Sequence, residues 1–475
     1  MRHYYRIRRL LERLRTAEVG DPLRREPWHW PVLIAWTALW FSAKAVHGGQ
    51  SWHFSAQGAQ LLWEGATGHQ APGGLDLFAN YPRLQSGPLT FALAEPITWF
   101  GPHNGLVAAE LVMTLLGLLV LVALERAAFA ARPDVPPSRI RWTILGGGAL
   151  LIPLWALTGV GYAHFDDVLA LTFAALAVWA VAERRTVLVG VCTALAVDSK
   201  PWAAAFLPLL FALPGPIRGA AGRTRRRAVL VCLALVLLAW LPFLMADPNS
   251  FNAAAFTIEN VPDSALRALG VHDPRTPGWD RSAQIALGCL FGSLAVWRGR
   301  WPAAVLIGVC ARIALEPNDY AYYFAGLLLG ALCWDLLASR RPQPVMTLSV
   351  TALVFALPAL GVSPQFHGNI KLWTMVGATL AVLLGPAATQ LGRRGAGGAV
   401  PGDSASGRAL PADPVAAALE AASRTVSLPA PDGAHRHRRP LAAPLSRSVG
   451  HDPGGQLRRH GLVPKVTPRE HSRPM

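Results

Sequence analysis

The chain is divided into apolar blocks of about 15–20 residues, and no other feature restricts its folding so much. Blocks of that length match the hydrocarbon core of a bilayer crossed as helix. Composition agrees: of 475 residues, 52% are hydrophobic and 15% charged. The expected fold class is therefore all-α, a polytopic helical membrane protein.

The side of each connection follows from its charge. An Arg-rich stretch precedes the first block, Trp30 to Val46, which places that end in the cytoplasm and the loop from His47 to Asn104 outside. The next block, Gly105 to Leu124, ends before Arg126, Arg132, Arg139 and Arg141 and so returns inside. Pro88 to Gly101 then has to be re-entrant or interfacial, because a full crossing there would reverse the sign pattern.

Thr143 to Tyr162 runs out and Val168 to Ala182 returns. Thr186 to Val197 and Trp202 to Leu213 form a hairpin of short helices, as in broken helices around buried polar sites. Ala228–Ala246, Ile285–Trp297, Pro302–Leu315, Ala325–Ala338, Val345–Gly361 and Ile370–Leu391 continue the alternation. About twelve crossings result, in a multi-pass cell-membrane protein with both termini cytoplasmic.

Three regions are expected. Residues 1–28 make a basic amphipathic cytoplasmic segment that is not a removed signal. Residues 29–391 make the membrane domain, with outer loops at 47–104 and 247–281. Residues 392–475, rich in Pro, Ala, Gly, Ser and Arg without apolar period, read as a disordered basic tail.

Lys and Arg number 44 against 28 acidic residues, but the excess lies in cytoplasmic-type loops and the tail, where membrane lipids account for it and nucleic acid need not. The five cysteines all fall in apolar segments without metal or disulfide spacing.

Ionisable groups at membrane depth are costly and tend to have a task. The run from Gly73 to Leu89 gathers Asp76, Asn80, Tyr81, Arg83 and Gln85 between Gly and Pro, and its apolar content predicts a folded, functional loop. WHFSAQGAQLLWEG, just before it, predicts an amphipathic surface helix. HFDD presents His164, Asp166 and Asp167 at a helix start, where one acid would serve as a cap and two exceed that need. The trio also offers nitrogen and oxygen ligands.

DSKP has two readings: Asp198 and Lys200 neutralise each other, or Lys200 meets a phosphate as a point charge. EPNDYAYY carries Asp319 and Tyr320 at an outer interface, where tyrosines also serve as a belt, and Arg312 could pair with Glu316 one turn on. No P-loop, GxSxG or HExxH occurs in a suitable context.

Taken together, the surface helix, Tyr81-Pro82, Asp166-Asp167 after an outward span and Lys200-Pro201 between short helices resemble the C-type glycosyltransferases. These depend on polyprenyl-phosphate sugars, and the actinobacterial mannosyltransferase-like branch is the nearest in pattern. The resemblance covers roughly Trp30 to Leu391. In that superfamily a catalytic acid usually follows the first span, where this chain reads HGGQSWHF. The resemblance then implies Asp76, Asp166 or Asp167 as catalytic carboxylate. It implies Lys200 and Arg83 near the leaving phosphate, with Gln85, His164, Asp319 and Tyr320 as further substrate contacts.

Inverting transfer from a polyprenyl-phosphate-linked sugar, mannose by the branch, to a lipid or glycan acceptor would follow. No cofactor is required by the sequence, though a divalent cation could share the phosphate. Two other classes fit parts of the pattern: a transporter or lipid flippase, and a non-catalytic membrane scaffold. The transferase reading expects Asp76, Asp166 and Lys200 to share one outward cavity.

Overall fold

The computed structural model describes residues 27–45, 48–63, 72–213, 220–252, 256–339, 341, 343–356, 361 and 363–385. Nearly all of the expected N-terminal amphipathic segment, and the whole of the expected tail 392–475, lie outside them. The described residues are helical throughout with no strand, and a single isolated bridge joins Glu259 to Arg275.

In chain order the helices are α1 (His29–Ala45), α2 (Trp52–Trp63), α3 (Pro88–Thr98), α4 (Pro102–Ala131), α5 (Pro137–Ala156), α6 (Phe165–Ala182) and α7 (Thr186–Ser199). A 3-10 segment, Pro201–Phe211, follows. Then come α8 (Ala220–Ala246), α9 (Asp280–Trp297), α10 (Ala304–Ala314), α11 (Tyr323–Leu337), α12 (Val345–Thr351) and α13 (Pro364–Leu384).

Prolines set several of these boundaries. Pro88, Pro102 and Pro137 open α3, α4 and α5, where a missing N–H costs nothing. Pro201 works in the opposite sense. It disfavours helical backbone at Lys200, which lies at φ −149° and ψ 116°, and α7 stops there.

Among the described residues four helices are long and apolar enough to cross a membrane: α4, α5 with its continuation to Gly161, α6, and α8 from Gly222. The two arms of the expected hairpin are shorter. α7 has 14 residues and the 3-10 segment 11, each about 21–22 Å long against a hydrocarbon core of about 30 Å. α3, with 11 residues and about 16 Å, reaches roughly half-way, as the charge argument requires of Pro88–Gly101.

α6 is the central element. It packs against α4 on one side and α7 on the other, and 83% of its apolar window is buried. α10 and α11 are buried almost throughout and pack on one another. Their contact is backbone-close: a Cβ on Gly330 would come within 2.5 Å of Leu306 Cα, the close approach that small residues permit in membrane helices. α8 is peripheral, with only 22% of its window buried.

The long connection between α1 and α4 is folded where it is described. Leu61, Leu77, Phe78, Leu84 and Phe91 form a small core of their own with Trp240 and Phe243 of α8. α2 packs on α3, with Gly58 against the Phe91 ring. Between α8 and α9, the turn Ala265–Ala268 is capped by Ser264, whose hydroxyl accepts from Arg267 N, and packs on α13.

Candidate functional site

The site forms at the N-terminal end of α6. α5 runs into a wide turn, Leu157–Gly161, and the chain reverses through Ala163, whose φ of 53° is left-handed although it carries a Cβ. Such a conformation is sparsely populated and persists only where the surroundings over-determine it. The reversal presents His164, Asp166 and Asp167 together. All three are mostly covered, the two acids at 5% and 3% exposure.

Two cations from elsewhere meet this acidic pair. Lys200, swung out by its extended backbone, bonds Asp166 Oδ2 directly and lies 3.8 Å from Asp167 Oδ2. Arg312, from α10, donates Nη1–H to Asp167 Oδ1 at 2.9 Å. Its guanidinium lies between the rings of Trp202 and Tyr323, 4.2 Å from each. Trp202 Nε1–H donates to the same Asp167 oxygen at 2.9 Å, and Ser86 Oγ–H donates to Asp166 Oδ2 at 2.6 Å.

The network extends outward. Arg312 Nε is 4.0 Å from Glu316 Oε2, which also meets Arg281 Nη1 at 3.4 Å. His164 Nδ1 stands 3.8 Å from Asp166 and 3.9 Å from Asp167. Its other ring nitrogen is 3.3 Å from Ser51 Oγ, and its ring lies 3.9 Å from that of Tyr322.

The connection between α1 and α4 closes on this network through backbone. Gly87 N–H donates to Ser199 O at 2.8 Å, and Thr90 Oγ1–H reaches the same carbonyl at 2.9 Å. Any Cβ at Gly87 would collide with the Asp198 carbonyl, so only glycine allows the loop this close to the end of α7.

Of the residues singled out from sequence, His164, Asp166, Asp167 and Lys200 come together. Asp76 does not. It sits half-buried in the turn Gly74–Asp76, with no hydrogen bond or ion pair to the network among the described residues. Arg83 is exposed and likewise separate, and Gln85 is half-buried beside Ser86. The expected cavity shared by Asp76, Asp166 and Lys200 is therefore not the arrangement found.

Asp319 belongs to a second cluster, bonding Lys371 Nζ at 2.7 Å and lying 3.8 Å from His367, which is 3.9 Å from Asp263. Tyr320 touches the main site only through aromatic rings, stacked at 5.3 Å on Tyr322. Burial, helped by Glu316, raises its hydroxyl above the usual tyrosine range. The mutual pairing of Asp198 and Lys200 is also replaced. Lys200 goes to Asp166, while Asp198 takes a hydrogen bond from Trp240.

Sequence reasoning passed over Ser86, Trp202 and Arg281, and it gave Arg312 only Glu316 as partner. No spacing signal marks Ser86 or Trp202. Arg312 was legible as a cation inside an apolar run, a position that demands a counter-charge.

His164, Asp166 and Asp167 place ligand atoms within 4.8 Å of one another, as a cation site would. Yet Lys200 and Arg312 already neutralise both carboxylates. A resident dication would add its charge to a set already balanced, so the residues fit a hydrogen-bonded ion network better than a metal centre.

Asp280, beside Arg281, gives a pH test. It is fully buried, and burial pushes its carboxyl up to about 7, with Arg281 opposing. Between about 4 and 7 the unfolded chain ionises while the folded one keeps its proton, so stability falls as pH rises. Asp280→Asn is expected to match the parent near pH 4 and to melt a few degrees higher at pH 8. Thermal unfolding of the purified protein across that range checks it, and equal slopes for the two proteins would refute it.

No protein-family model matches the chain, and no curated protein matches it.

Proposed function

We propose that the protein is an integral membrane glycosyltransferase. It moves a sugar, mannose by the resemblance, from a polyprenyl-phosphate donor to a lipid or glycan acceptor at the outer face of the cell membrane. The observation that supports this most is Lys200, held against Asp166 and Asp167 at the head of the central helix with Ser86 of the first outer loop bonded to the same carboxylate.

The pair is suited to an exchange of partners. A donor phosphodiester competes for the ammonium as a compact negative charge. As Lys200 turns to the phosphate, Asp166 is freed to take a proton. The acceptor hydroxyl gives its proton to the carboxylate, and its oxygen forms the new bond to the anomeric carbon. The bond from that carbon to the phosphate oxygen breaks, and the lipid monophosphate leaves with the electron pair, its charge met by Lys200.

The outer placement, the count of about twelve crossings and cytoplasmic termini rest on the alternation of Arg-rich and Asp-rich loops. A transporter or lipid flippase is the second reading, favoured by the two short helical arms that meet at Lys200.

The test uses proteoliposomes holding the full chain, polyprenyl-phosphate mannose with a labelled sugar, and an acceptor lipid extract. Label is expected to move to acceptor only when the protein is present. Movement of intact donor between leaflets without transfer would replace this reading with a flippase.

A further inference from the structure

α2, α3, α7 and α8 enclose a cavity of about 520 Å3, within the ~300–1,000 Å3 usual for small-molecule sites. Its wall is apolar almost everywhere, as at Leu62, Leu89, Leu195 and Phe243. The exception is Asp198. This residue is 3% exposed and its Oδ1 has no hydrogen-bond partner among the described residues. A buried acceptor left unmade costs about 1–3 kcal/mol, so the position calls for a donor supplied from outside the chain.

The mouth indicates where that donor comes from. Leu238 on its rim is 73% exposed and belongs to α8, the candidate span with the least of its surface covered by protein. The cavity thus opens on the wall that faces lipid. A ligand arriving this way has an apolar body, and Asp198 requires an O–H at its polar end. Only Ser199 separates Asp198 from Lys200 in the chain, so the polar end sits beside the carboxylate network.

We propose that this cavity binds a lipid alcohol, its chain along the apolar wall and its hydroxyl donating to Asp198 Oδ1. Given the transferase reading, on which the role as substrate rests, this is the acceptor seat.

Binding is measured on the purified full chain in lipid nanodiscs, with a labelled long-chain prenol and the matching hydrocarbon that lacks the hydroxyl. The prenol is expected to bind about tenfold more tightly, the upper end of what one hydrogen bond contributes. Asp198→Leu is expected to abolish that preference, and Ala239→Trp, which fills the cavity, to abolish binding of both.

Equal binding of prenol and hydrocarbon to the parent overturns the proposal. So does a preference that survives Asp198→Leu, or full binding in Ala239→Trp. Prenol binding that behaves as expected in a protein without transfer activity would count against the transferase reading and not against this seat.

Discussion

Lys200→Met is expected to cost the fold about 3–5 kcal/mol and to lower sugar transfer by at least about a hundredfold. Both effects come from Asp166. With the ammonium gone, that carboxylate keeps Ser86, the Asp167 N–H at 2.8 Å and the His164 ring at 3.8 Å, with no permanent cation, while remaining almost wholly out of water. An ion pair broken on one side leaves a buried charge uncompensated, the costly way to lose such a pair.

The informative partner is the double variant Asp166→Asn/Lys200→Met. Removing both charges is expected to restore most of the stability and none of the transfer, since the phosphate then has no cation and the acceptor no base. Thermal unfolding and the proteoliposome assay read the two effects separately. Transfer near the parental rate in the double variant would leave the pair as architecture alone.

Arg312→Met is expected to be at least as damaging to stability, again by about 3–5 kcal/mol. It takes from Asp167 its closest cation, leaving Trp202 Nε1–H at 2.9 Å and Lys200 at 3.8 Å, and it removes the flat cation lying between Trp202 and Tyr323. Arg312→Lys is expected to recover little, because an ammonium cannot fill a planar slot between two rings while keeping the Asp167 bond. Melting temperatures of the two variants in the same detergent check this. A lysine variant as stable as the parent would show that charge alone holds the site.

The helices were readable because apolar blocks and prolines mark them locally. The expected segments and the observed helices agree to within a few residues at most ends, as at Val168–Ala182 against Phe165–Ala182 and Ala325–Ala338 against Tyr323–Leu337. The count of crossings was less legible, since length and apolarity single out four helices while the charge alternation implies about twelve.

Part of the site was readable for the same reason as the helices. Asp166, Asp167, Lys200 and Arg312 each interrupt an apolar run, and each such charge needs a partner. Which partner was not readable. Asp198 and Lys200 are two residues apart, yet one ends a helix and the other is extended, so they serve different neighbours. Ser86 was hidden because an uncharged hydroxyl in a polar loop carries no signal until the loop is docked. Asp76 and Arg83 looked stronger, being charged, but loop residues in water need no partner at all.

The linked network holds three carboxylates, Asp166, Asp167 and Glu316, and three cations, Lys200, Arg312 and Arg281. Their sum is zero. Membrane voltage does about 2.3 kcal/mol of work per elementary charge carried across 100 mV, and it does no net work on a neutral set whose charges all shift together. The head of α6 is therefore electrically blind as long as it shifts as one body, and only a separation of its paired charges would couple it to the potential across the bilayer.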